Sequence, residues 1–278
     1  MTAPASQTRT FRPGPRIGSG RTAEIFDAGP GRALKLYRAG WGRDTPDREF
    51  HATLIAGVAG GPVAAVHDPY ETDGRFGFTM DRLAGPSMLG AMSRRPWTIV
   101  GQAHGLADLH HAIHRIEAPD LPALGPRLER RIEAATHVPV AIRADALATL
   151  ARLVGDARPA RLCHGDLHPE NVILTAEGPR VIDWVAASSG EPLGDVAMTL
   201  LLLDLGEPDA ATPRAIRALI GLARGTFGRA YRSRYLTTDE DRRRVRAWLL
   251  PVAVGRFGDG IENEYPRLDR LIASLRRT

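Results

Sequence analysis

Lysine is almost absent from this chain: of 37 basic residues, Lys35 is the one lysine and the other 36 are arginine. Cysteine is equally scarce, with Cys163 alone. A single thiol excludes an intrachain disulfide and fits a reducing, cytoplasmic setting. Long apolar runs are missing too. The longest, VAMTLLLL at 196–203, is far short of the roughly 20 residues that span a bilayer, so it predicts a buried helix and no membrane partner. The opening MTAPASQTRTFRPGP has no apolar stretch, carries no signal-peptide pattern and reads as a flexible leader over 1–14. Aromatics make up only 6% and the formal charge is +5, carried by scattered arginines; that combination does not make a nucleic-acid surface. The densest basic run, RRRVR at 242–246, follows the acidic TDEDR and reads as a capped, solvated helix face.

What is present is an ordinary globular composition, 43% hydrophobic and 25% charged over 278 residues, enough for one large domain or two joined lobes with a real core. Residues 15–83 hold short strand-like runs, AEIFDAG, RALKLYR, PVAAVHD and FGFTMDRL, separated by glycine-bearing turns such as TDGRFG. One helix is predicted among them, about Asp47 to Val58. From about Gly85 the pattern turns helical, with helices expected near 97–114, 142–154, 193–204, 213–230, 239–250 and 266–276. Thr212-Pro213, and Thr238 with Asp241 three residues on, supply N-terminal caps. RLCHGDLHPENVIL and PRVIDWV read as short β segments around a polar loop. The expected architecture is α+β: a small β-rich lobe (15–83), a larger α-helical lobe (84–278) and a cleft between them.

The polar loop carries the chemistry. HGDLHPEN spans 164–171 and VIDW spans 181–184; Asn171 is one of only two asparagines in the chain. Pro169 disfavours helix at His168, so the segment should be extended and turning, holding Asp166 and Asn171 close together while the next β segment delivers Asp183. Two hard oxygen ligands with an open coordination sphere describe a Mg²⁺ site. Asn171 and Asp183 suit that role, and Asp166 is then free to accept a proton from an attacking hydroxyl. Upstream, RIGSGRTAEIF follows the nucleotide-loop pattern G-x-G-x-x-G-x-V at Gly18 and Gly20, with Ala23 for the third glycine and Ile25 for the valine. A strand bearing Lys35 and a helix bearing Glu49 come next. A compact ammonium can reach phosphates and hold a carboxylate behind it, which a planar guanidinium fork does not reproduce. That is a reason for one lysine to survive among 36 arginines.

On these motifs the sequence resembles the aminoglycoside phosphotransferase family of the protein-kinase-like superfamily, over nearly the whole chain from Ile17. The resemblance implies a bilobal kinase-like fold with ATP and Mg²⁺ as cofactors and a small-molecule hydroxyl as acceptor. It implies Asp166 as catalytic base, Asn171 and Asp183 as metal ligands, and Lys35 paired with Glu49. Ile17, Gly18, Gly20, Ile25 and Ala33 join the nucleotide site, and backbone groups from Asp81 to Leu83 hold the adenine. Asp195 matches an acid that braces the catalytic loop. Gly165 stands where regulated protein kinases carry arginine, Trp184-Val185 replace Phe-Gly, and only 12 residues separate Asp183 from Asp195. No room is left for an activation loop, so the chain reads as a small-molecule kinase that is always assembled. The acceptor pocket is expected at Trp184, Asp259, Glu262 and Glu264, and the acceptor itself is expected to be aminoglycoside-like.

Other readings stay open at this level: a metabolite kinase for a sugar, choline-like alcohol or homoserine, or a nucleotide-binding pseudokinase scaffold. His164, Asp166 and His168 alternate as a metal cluster would, although His164 reads better as a hydrogen-bonding fixture of the loop. His110, His111 and His114 share a predicted helix with no accompanying acid and read as core-edge or surface residues. Cys163, beside apolar Leu162, reads as a buried and inert thiol.

Overall fold

The computed structural model describes residues 12–156, 158–206 and 213–277; most of the expected leader and the expected cap at Thr212 lie outside them. The chain divides into two compact units. One comprises Met1–Pro86 with Val172–Ala186, the other Ser87–Asn171 with Ala187–Thr278.

The first unit is built on a five-stranded antiparallel sheet, β1 (Arg16–Ser19), β2 (Ala23–Asp27), β3 (Arg32–Tyr37), β4 (Val66–Thr72) and β5 (Arg75–Asp81), in the order β1-β2-β3-β5-β4. The period-2 alternation of a strand sorts β3 into two faces. Leu34 and Leu36 cluster with Tyr70, while Tyr37 clusters with Ala23 and Phe78. Lys35 shares the parity of Tyr37 and pairs in register with Ile25 on β2 and Phe78 on β5. The β4–β5 turn closes through Asp73 (φ 49°) and Gly74 (φ 69°), the left-handed pair that a two-residue hairpin requires. At Gly77 on β5 a side chain is impossible, since a Cβ there would sit 2.1 Å from the Lys35 carbonyl oxygen. Helix α1 (Asp44–Val58) starts three residues earlier than expected and buries Glu49, Ala52, Thr53 and Ala56 along one face.

In the second unit the helices are α2 (Met88–Arg94), α3 (Ile99–Ile113), α4 (Leu124–Ala134), α5 (Val140–Gly155), α6 (Pro192–Leu205), α7 (Arg214–Tyr235), α8 (Asp239–Phe257) and α9 (Tyr265–Leu275), with a small pairing of β6 (Arg161–Cys163). The hairpin β7 (Val172–Thr175) and β8 (Gly178–Val181) belongs to the first unit, and β9 (Ser188–Gly190) pairs with β6. The expected boundary at 83/84 therefore moves to Pro86, and 172–186 leaves the helical lobe. Backbone bonds explain the reassignment: the Leu174 N–H donates to the Pro86 carbonyl (2.9 Å) and Val181 N–H to Pro62 (2.6 Å).

Two helices escape the periodicity reading. In α4, LGPRLERRIEA buries only Leu128 and Ile132, a stripe too narrow to stand out among charged neighbours. α2 is only seven residues long. α8 continues through Pro251 to Phe257, because Val245, Trp248, Val252 and Phe257 are buried along it and that burial outweighs the roughly 3 kcal/mol cost of an internal proline. Its start carries the expected capping box, Thr238 with Asp241. Among the described residues no helix is long and apolar enough to cross a membrane.

Candidate active site

In the first unit Lys35 is the centre of a buried charge cluster. Its Nζ lies 2.7 Å from Glu49 Oε1 and 3.2 Å from Asp183 Oδ1. Glu49 uses its second oxygen to accept the Tyr37 hydroxyl, so the carboxylate is fixed at both ends by alternate residues of one strand. Tyr37 carries no sequence signal for this role beyond its parity with Lys35. Burial alone would lower the lysine, but Glu49 and Asp183 outweigh it and raise its pKa; the ammonium is charged at any working pH. Asp183 takes a left-handed conformation, φ 67°, tolerable for aspartate, and its Oδ2 accepts no hydrogen bond among the described residues. Gly18 and Gly20 sit at the β1–β2 turn, which Arg38 ties back by donating to the Gly20 carbonyl (3.0 Å) and to Ser19 Oγ (2.7 Å). Ala23, which replaces the third glycine, turns its methyl into the cluster with Tyr37 and Phe78, away from the turn. Ile25 is half-buried and Ala33 buried, while Ile17 is exposed. At the end of β5 the Asp81 N–H is taken by Ala65 (2.8 Å) and the Arg82 N–H by Gly31 (2.9 Å), so Leu83 is where the 81–83 backbone is left open.

In the second unit the polar loop is held from beneath. Asp195, buried on α6, accepts the backbone N–H of His164 (2.6 Å) and of Gly165 (2.8 Å). Gly165 has φ 78°, a left-handed position that explains glycine there on backbone grounds. The Asp166 N–H then donates to His164 Nδ1 (3.2 Å), and His164 acts as a fixture of the loop. Asn171 donates from Nδ2 to the Asp166 carbonyl (2.9 Å) and to Asp166 Oδ2 (3.2 Å); its Oδ1 accepts no hydrogen bond among the described residues. Burial pushes the Asp166 carboxyl up, but His168, His164 and Arg256 outweigh it and leave the pKa lowered. Asp166 is therefore ionised at neutral pH.

The expected acceptor residues fare differently. Trp184 does not line a pocket: it is 1% exposed, its indole N–H donates to the Val181 carbonyl (3.1 Å), and α1 packs on the turn that carries it. Its size and apolarity are used in the core. Asp259 pairs with Arg131 and Arg256, and Glu264 grips Arg256 through two bonds of 2.7 and 2.8 Å. Glu262 is exposed with no ion pair among the described residues. The pairing arginines were invisible in a chain where arginine is everywhere. His110 and His114 are not surface residues either; both are buried against Asp195, an acid that α6 brings from far along the chain. Cys163 is fully buried and its thiol pKa is raised by burial, then by Asp195 and Glu191.

This buried cluster carries an acid-stability prediction. Burial and neighbouring His114 lower His110 from 6.5 to about 4. The unfolded chain takes up that proton below pH 6.5 and the folded chain does not, so stability falls as pH drops from about 6.5 to about 4, by on the order of 3 kcal/mol. Asp195, whose pKa is held well below 3.8 because His110 and His114 outweigh its burial, adds stability present above pH 3.8 and lost below it. Urea midpoints at pH 7.5, 5.5 and 4.5 should decrease in that order. A flat series, or one unchanged by His110→Gln, contradicts this account.

Comparison with known proteins bears on the fold and the family. No curated protein matches the chain. Among solved structures, a thermostable mutant of aminoglycoside phosphotransferase APH(4)-Ia in ternary complex with AMP-PNP and hygromycin B aligns with TM-score 0.61 at 17% identity, over 94% of this chain and 92% of that one. A choline/ethanolamine kinase family protein from Mesorhizobium loti aligns with TM-score 0.55 at 17% identity, over 96% and 93%. Amicoumacin kinase hAmiN, in complex with AMP-PNP, Ca²⁺ and Ami, aligns with TM-score 0.58 at 14% identity, over 92% and 86%. At such identities the likeness is one of fold, the bilobal protein-kinase-like α+β class. The sequence profile of the phosphotransferase enzyme family (APH) matches residues 15–248, a span that holds Lys35, Glu49, Asp166, Asn171 and Asp183 together. The chain thus belongs to the phosphotransferase enzyme family and is a small-molecule kinase.

Proposed function

We propose that the protein moves the γ-phosphate of Mg-ATP to a hydroxyl of a small molecule, with an aminoglycoside-like compound as the first acceptor class. The observation that carries the reading is the retained lysine: one ammonium at 2.7 Å from Glu49 and 3.2 Å from Asp183, in a chain that otherwise writes positive charge as arginine. ATP as donor is supported by the AMP-PNP complexes among the structural relatives.

The residues divide the work as phosphoryl transfer requires, by positioning and charge neutralisation. Gly18, Gly20 and the Lys35 ammonium hold the donor phosphates, and Ile17, Ile25, Ala33 and Leu83 hold the base. Glu49 keeps Lys35 in place. The acceptor oxygen forms a bond to the γ-phosphorus, the bond to the β,γ-bridging oxygen breaks, ADP leaves, and the hydroxyl proton passes to Asp166. Asn171 Oδ1 in the second unit and Asp183 Oδ2 in the first are each hard oxygens that accept no hydrogen bond among the described residues, the donor type that Mg²⁺ prefers, and each would serve as a ligand. When bound, the ion neutralises charge on the transferring phosphate.

A second reading, a metabolite kinase for a sugar, choline-like alcohol or homoserine, is favoured over a polycationic acceptor by the arginine pairing of Asp259 and Glu264, which leaves Glu262 as the one of the three acids with no ion pair among the described residues. Mg-ATP-dependent ADP release over a panel of aminoglycosides, sugars, choline and homoserine tests both. Acceptor-dependent release that disappears in Asp166→Ala supports the kinase, and the class of acceptor that is turned over selects the reading. Nucleotide binding without turnover across the panel supports a pseudokinase instead.

A further inference from the structure

Two side-chain relays converge on Asp195, and the phosphate transfer described above uses neither. His110 lies in the last turn of α3 and His114 is the residue just past its end, four positions on, with 0% and 7% of their surface exposed. Their Nε2 atoms approach Asp195 Oδ2 at 3.0 and 3.3 Å. Their Nδ1 atoms lie 2.6 Å from the hydroxyls of Tyr231 and Tyr235 on α7. The two imidazoles face each other with ring centroids 4.1 Å apart.

For two neutral rings the donors and acceptors balance in one way. A carboxylate only accepts, and a tyrosine hydroxyl facing a ring nitrogen has its proton to place. A neutral imidazole that accepts at Nδ1 and donates from Nε2 satisfies both partners. In the opposite tautomer an unprotonated Nε2 would face the carboxylate, lone pair against lone pair. Two stacked imidazolium ions would repel each other. With both rings in the Nε2–H form, four N–H groups surround Asp195, two from imidazoles and two from the backbone of His164 and Gly165. That ring of donors lets a buried carboxylate stay ionised with no cation beside it. His110, His114 and Asp195 also bring their ligand atoms within 4.8 Å of one another, but an Nε2 carrying a proton has no lone pair for a metal.

We propose that Tyr231 and Tyr235 are positioning residues for Asp166, acting by fixing the tautomers of His110 and His114 so that Asp195 holds the loop amides on which Asp166 sits. α7 thereby sets the geometry of the transfer without touching a substrate. The kinetic consequence rests on the kinase reading; the tautomer assignment does not.

Two-bond ¹H–¹⁵N correlation on the full chain at pH 7 reads the protonated nitrogen of each ring directly. Both histidines should show Nε2–H and bare Nδ1, with spectra unchanged by EDTA. Tyr231→Phe with Tyr235→Phe should shift and broaden the Nδ1 signals as the hydroxyl–Nδ1 bonds that lock each ring are lost, and should lower kcat roughly 10-fold to 100-fold, with KM for ATP and acceptor within about twofold. Should that double variant misfold, His110→Gln, which keeps an N–H donor near the Nε2 position, should retain more kcat than His110→Leu. An Nδ1–H tautomer or an imidazolium in the wild type overturns the proposal, as does an EDTA-sensitive spectrum. So does an unchanged kcat in the folded double variant, a loss confined to KM, or equal kcat in the two His110 variants. Absence of turnover in the wild type would count against the proposed function and leave the tautomer result standing.

Discussion

Arginine in place of Lys35 is expected to lower kcat by roughly a hundredfold or more while the chain stays folded. The two effects separate because Lys35 has two tasks. Its structural task is to neutralise Glu49, which is 2% exposed and cannot be left alone. A guanidinium placed on β3 still supplies that charge and can bond a carboxylate. Its proposed chemical task is to present a point charge to phosphate from a site shared with Glu49 and Asp183, and a planar fork changes both reach and direction. Lys35→Met should separate the tasks the other way. Removing the ammonium strands a buried carboxylate, a loss on the order of 3–5 kcal/mol, and the urea midpoint should fall along with activity. Near-wild-type turnover in Lys35→Arg would end the phosphate role; a collapsed midpoint in that variant would show the site to be chiefly structural.

Asp166→Asn is expected to reduce kcat by about 10²-fold to 10⁴-fold, the usual range for loss of a general base, with little change in stability or in KM for ATP. The side chain is 29% exposed, so no buried charge is orphaned, and an amide oxygen can still accept from Asn171. What disappears is the proposed proton acceptor, a carboxylate that His168, His164 and Arg256 keep ionised. Because those neighbours depress its pKa below 3.8, the group stays deprotonated, and the acid limb of the wild-type profile should fall below pH 3.8. A rate already halved at pH 5, with the fold intact, would assign the proton to another group.

Two contacts of the candidate site were legible in the sequence, for a physical reason: Lys35, unique in the chain, meets Glu49 on the helix that follows its strand, and Asp166 and Asn171 are five residues apart on one loop. Residues that support these groups through distant contacts gave no such signal. Tyr37 reaches Glu49 only because β3 and α1 pack together; Tyr231 and Tyr235 reach His110 and His114 from 121 residues away. Trp184, expected at the acceptor pocket, is buried instead, because an indole has enough apolar surface to be drawn into a core. Asp259 and Glu264 misled because acids counted one by one look free until their arginines are found. The fold class followed from turn chemistry and helix periodicity, and helix placement failed at α2, which is short, and at α4, whose apolar positions are few among its charged residues.

The chain enters the first unit twice, leaving it after Pro86 and returning for Val172–Ala186. Neither half of this protein is therefore a continuous stretch of gene. A fragment ending at residue 86 would lack Asp183 and the hairpin bonded to Pro62 and Pro86. Recombination or domain swapping at a single crossover would hand on an ammonium without its second carboxylate, so the two units can only be inherited together.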